Sequence, residues 1–191
     1  TAAILYSLEA QMLSQSFANN WGANSRELPL DQPFPDDLSQ WSADMYRVRL
    51  LELCQKSLSN TRMLKASPIK NWQPLLSTLT EEQQALCPDL YVLLAMRSIT
   101  MLDDVASRAI MPIPFFKSES KYLTPAQRCL ATSTDLLTDL ISYAYEIASP
   151  SLLAYTLPQA QYSDNKEAFD KIMEAYGKFS NREDALPLLI A

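Results

Sequence analysis

Four aspartates carry the most specific chemistry in this 191-residue sequence. Asp135 and Asp139 stand four apart in a stretch of helical spacing, so both carboxylates fall on one helix face. Asp103 and Asp104 lie side by side in a second helical stretch. Two helices presenting carboxylates in this way can hold Mg²⁺ and leave coordination positions for the oxygens of a diphosphate, because Mg²⁺ takes a few carboxylates and fills its octahedron with water or phosphate. The plainer reading, and the favoured one, is a pair of solvated helix faces. On it, Asp104 and Arg108 form an i,i+4 ion pair worth roughly a few tenths of a kcal/mol.

The Asp135-x-x-x-Asp139 spacing resembles the metal-binding pattern of isoprenoid synthases, which implies a helical fold using Mg²⁺. The resemblance ends with that pattern. The second Asp-rich motif is incomplete, and no Arg/Lys pair lies nearby in the sequence.

A second set of residues suits binding rather than catalysis. Arg47, Arg49, Lys56, Arg62 and Lys65 form a basic stripe, against Asp44 and Glu52, that could meet an acidic partner or a membrane surface. Arg47 and Arg49, two apart, do not share a face, and a solvated surface is the favoured reading. Ile110–Phe116 is apolar throughout but holds two prolines, so it cannot be a regular helix. Its Ile113, Phe115 and Phe116 are either an exposed docking element or a loop that fills the core, and the second is favoured. Phe34, inside the three-proline stretch 28–35, carries the same ambiguity.

Absent residue types remove much of the rest. With no His, Ser-His-Asp and Cys-His triads, His-ligated zinc and the usual general acid–base are gone. There are 2 Gly, at positions 22 and 177, where average usage would give about 13. That leaves no Gly-rich phosphate loop and no nucleophile elbow. A net charge of -6 does not favour nucleic acid. The three Cys form no CxxC pair and sit beside leucines, which points to buried thiols and a cytoplasmic setting. No apolar run reaches the roughly 18 residues of a membrane span, and no signal-peptide pattern is visible.

The elements that must position these residues read as helices. The expected helical stretches are 2–18, 37–65, 67–79, 88–110, 125–148, 150–157, 164–179 and 182–190. Residues 19–25 read as a loop, and 28–35 as an extended Pro-rich connection. The start signals are Asp36 or Asp37, Ser67-Pro68, Pro88, the Thr124-Pro125-Ala126-Gln127 capping box and Ser149-Pro150. Stretches 88–110 and 125–148 are apolar on more than one side, which places them centrally in a bundle.

The sequence therefore predicts an all-α fold: a single globular domain of about seven helices, spanning 1–191, with two long central helices. The favoured function is a non-catalytic interaction module that binds another protein, as an adaptor, chaperone-like protein or regulatory subunit. Its expected contact residues are Phe34, Arg49, Lys56, Ile113, Phe115 and Phe116, and no cofactor is expected. The alternative is a helical enzyme or small-ligand binder using Asp103, Asp104, Asp135 and Asp139 with Mg²⁺.

Overall fold

The computed structural model describes residues 2–75, 86–107, 123–162, 166–181 and 185. Among them are seven α-helices and no strand. The helices are α1 (Ala2–Asn19), α2 (Ala43–Leu58), α3 (Thr61–Lys65), α4 (Leu90–Ser107), α5 (Pro125–Glu146), α6 (Pro150–Tyr162) and α7 (Lys166–Phe179). Three 3₁₀ segments, Ala23–Ser25, Leu38–Gln40 and Ile69–Leu75, complete the order. An isolated bridge joins Pro68 and Asp89. The all-α expectation holds.

The helix ends follow local chemistry, and several differ from the expected limits. The stretch 37–65 is not one helix. Asp37 caps only the 3₁₀ turn, accepting from the Ser39 amide at 2.8 Å and the Ser39 hydroxyl at 2.7 Å. Those two bonds lower the Asp37 pKa. Helix α2 starts later, behind Ser42, whose hydroxyl accepts from the Met45 amide. A break at Ser59-Asn60 then separates α3. Pro88 does not open α4; Asp89 caps it, with Oδ1 accepting from the Val92 amide at 3.0 Å.

At α5 the capping box forms in full. Thr124 N–H donates to Gln127 Oε1 at 3.0 Å, and Gln127 N–H donates to Thr124 Oγ1 at 3.2 Å. That helix ends two residues before the expected 148. The Ser149 amide bonds the Ala144 carbonyl and the Ala148 amide bonds Tyr145, with Ala148 left-handed at φ 53°. Helix α6 runs past Pro158 to Tyr162 instead of stopping at 157, at the loss of one helical hydrogen bond. Gly177 lies inside α7 rather than ending it.

The described residues gather into two compact units. The first holds 2–61, 97–107 and 123–133; the second holds 62–75, 86–96, 134–162, 166–181 and 185. Helices α4 and α5 each contribute residues to both.

In the first unit α1 packs on α2. Ile4, Ser7, Ala10, Leu13 and Phe17 form the buried face of α1, and Tyr46, Leu50, Leu53 and Cys54 that of α2. In the second unit α6 packs on α7, which buries Ala168, Ile172, Ala175 and Phe179 at helical spacing. Helix α4 is buried without a break from Leu90 to Ala95, as a helix apolar around its girth requires.

Candidate functional site

A surface groove lies in the first unit, beside the irregular segment 26–41. Three prolines forbid regular helix over 28–35, so something else must fix the chain there. Tyr46 does much of it. Its buried hydroxyl donates to the Leu38 carbonyl at 2.7 Å. With its proton so committed, it accepts from Ser16 Oγ and from Asn20 Nδ2, each at 3.3 Å. Asn20 also donates to the Leu38 carbonyl, at 3.2 Å. Arg26 Nη1 bonds Asn20 Oδ1 at 3.2 Å and the Trp41 carbonyl at 3.1 Å. Trp41 Nε1 donates to the Pro35 carbonyl at 2.7 Å.

A row of rings runs through the same place. Phe17 meets Tyr46, Tyr46 meets Trp41, and Trp41 meets Phe34 edge-on, each pair with centroids 5.2 Å apart. Such pairs add roughly 0.5–1.5 kcal/mol each beyond area burial. The row begins in the core at Phe17 and ends at Phe34, which is half-buried.

Segment, α1 and α2 together leave an open groove of about 850 Å³. Its apolar lining is Met12, Leu13, Phe34, Pro35, Leu38 and Trp41, and Glu9, Asp36, Arg49 and Glu52 stand around it. Arg49 is held from both sides, by Glu9 at 3.0 Å and Glu52 at 3.2 Å. Partial burial opposes its charge, and the two carboxylates overcome that and raise its pKa.

Helix α1 adds a stripe of exposed apolar side chains: Leu5 at 59%, Leu8 at 39% and Met12 at 71% exposure. On the same helix Ile4 and Leu13 are buried while Leu5, Leu8 and Met12 face outward. The stripe enters the groove at Met12.

Of the expected contact residues, the groove thus unites Phe34 and Arg49. Lys56 is exposed, with its ammonium 5.9 Å from the Tyr6 ring. Ile113, Phe115 and Phe116 lie outside the described residues. Arg47 is not part of an exposed basic stripe. Arg47 is buried at 6% exposure, its Nε donating to the Val105 carbonyl at 3.1 Å and its Nη1 paired with Asp44 at 2.9 Å. Met12, Leu38 and Trp41 also line the groove and were not among the expected contact residues. The available signal for Met12 was α1 itself, which carries apolar residues at two helical phases.

Asp103 and Asp104 belong to the first unit, Asp135 and Asp139 to the second. Asp103 is half-buried and the other three are exposed. Burial raises the Asp103 pKa against a bond from the Ser133 hydroxyl that lowers it, and neighbouring Asp104 raises it further. Among the described residues, no three or more of His, Cys, Asp and Glu are grouped so as to hold a metal ion.

The three thiols are buried and in no disulfide. Burial pushes Cys54 up to about 11 and Cys129 up to about 12. Among the described residues, no helix is long and apolar enough to cross a membrane.

Comparison with protein-family models, with curated proteins and with solved structures gives no match.

Proposed function

We propose that this chain is a non-catalytic protein-interaction module, an adaptor, chaperone-like protein or regulatory subunit, and that the groove of the first unit is where its partner docks. The observation that carries the reading is a groove whose apolar lining leaves Met12 and Leu38 exposed beside half-buried Phe34, shaped by a hydrogen-bonded segment. A contiguous apolar patch rimmed by polar residues, unlike a single exposed side chain, marks an interaction surface. Here the Tyr46, Asn20, Arg26 and Trp41 bonds fix the segment's backbone, so the groove is already shaped before anything binds. A preformed site avoids ordering cost on association.

The test is affinity capture from the source lysate with the tagged wild-type chain and with Met12→Asp. Met12 is 71% exposed, so the substitution leaves the core alone. The reading expects one partner at stoichiometric yield with wild type and its loss with Met12→Asp. Equal capture by both chains, or no partner for either, would overturn it.

A further inference from the structure

We infer that the groove's occupant is an amphipathic helix flanked by Lys or Arg. The inference rests on the docking reading above and names the partner's chemistry. Two observations carry it, one geometric and one electrostatic.

The geometry comes from α1. Its groove lining runs from Glu9 to Ser16, and its exposed stripe starts at Leu5. At 1.5 Å per residue, Glu9 to Ser16 spans about 10 Å, and Leu5 to Ser16 about 16 Å. A docked helix with anchors at i, i+3 or i+4, and i+7 covers about 10 Å, the same two turns. Leu5, Leu8 and Met12 repeat at the i, i+3, i+7 spacing that a second helix meets side by side. Phe34, Leu38 and Trp41 line the same groove as Met12.

The electrostatics come from the rim. The groove is lined by three carboxylates, Glu9, Asp36 and Glu52, and one guanidinium, that of Arg49, which is bonded to Glu9 and Glu52. The rim is therefore negative by two charges. The segment forming one wall adds exposed Glu27, Asp31 and Asp37. Its own base, Arg26, is turned to Asn20 and the Trp41 carbonyl. An acidic helix would be repelled here, and so would a second copy of this chain through its own acidic rim, whereas Lys or Arg beside the apolar anchors is attracted.

Labelled synthetic peptides of about 15 residues test this by fluorescence anisotropy. One carries Leu at i, i+3, i+4 and i+7 with Lys flanks; a twin carries Glu flanks; a third has the Lys peptide's composition in scrambled order. The Lys-flanked helix is expected to bind at least about tenfold tighter than its twin in about 50 mM salt, with the gap narrowing in about 500 mM salt. Scrambling or Met12→Asp should remove binding, and Asp36→Lys should narrow the gap. Equal or tighter binding of the Glu twin overturns the charge argument. Equal binding of the scrambled peptide overturns the helix argument. If no peptide binds while the captured partner still depends on Met12, this inference fails and the docking reading stands. If capture shows no dependence on Met12, the docking reading fails as well.

Discussion

Two tyrosines, one in each unit, show how the same side chain serves different ends. Tyr46 stacks among Phe17 and Trp41 and gives its proton to a backbone carbonyl of an irregular segment. Tyr143 packs edge-on to Tyr91 and gives its proton to Asp89 Oδ2 at 2.6 Å. Asp89 in turn caps α4. The Lys65 ammonium stands 3.9 Å from the Tyr143 ring centroid and 5.0 Å from that of Tyr91. Burial, then the bond to Asp89, raises the Tyr143 pKa, and burial pushes Tyr91 up to about 12. In the second unit the network turns inward and ties one helix start in place. In the first it reaches outward, and its last ring, Phe34, lines a groove. A tyrosine bonded to a buried carboxylate secures structure; one bonded to a loop carbonyl shapes a surface.

The contrast is broken most sharply at Asp89. Asp89→Ala removes both the α4 cap and the partner of a buried hydroxyl. It should cost about 3 kcal/mol in a urea melt, combining the loss of a cap with that of a charged hydrogen bond. Tyr46→Phe should cost only about 1 kcal/mol, since Asn20 still serves the Leu38 carbonyl. Hydrogen exchange in 34–41 should nevertheless rise with Tyr46→Phe. Equal costs for the two variants would erase the distinction.

Backbone changes sharpen it. Ala148→Gly relieves a left-handed residue, and Gly177→Ala removes glycine from an exposed helix position with no atom within 4 Å of the added methyl. Each should stabilise by about 0.5–1 kcal/mol without altering the first unit's groove. Peptide affinity measured on both variants checks the second half of that statement.

The smallest effects are ionic. Burial favours the neutral forms of Cys54 and Cys129, whose folded pKa values, about 11 and 12, lie above the ordinary thiol value of 9.0. Stability from these thiols is therefore complete below pH 9.0 and declines as pH rises toward their folded values. A thiol reagent at neutral pH should label them only on unfolding. Asp103 has a raised pKa, so its ionisation weakens the fold as pH rises through the folded value. Asp103→Asn should raise the melting temperature at pH 7 and lose that advantage at pH 3.

The fold was legible where periodicity and caps agreed. Thr124–Gln127 wrote its own capping box, and the helix expected over 164–179 is found over Lys166–Phe179. Limits were missed where tertiary bonds decided them. Ser42 rather than Asp36 or Asp37 caps α2, because the Tyr46 and Trp41 bonds fold residues 35–41 into a separate turn. Of the expected contact residues, Phe34 and Arg49 line the groove, while Met12 was not singled out because α1 is apolar at two phases. Arg47 read as a surface charge, and its burial depends on a carbonyl 58 residues away.

The claim that docking belongs to the first unit is tested most directly by two matched substitutions at exposed methionines. Met12 lies in the groove, and Met173 on α7 in the second unit is 49% exposed. With the captured partner in hand, its affinity should fall at least about tenfold for Met12→Asp and stay unchanged for Met173→Asp. Loss with Met173→Asp and retention with Met12→Asp would contradict the account.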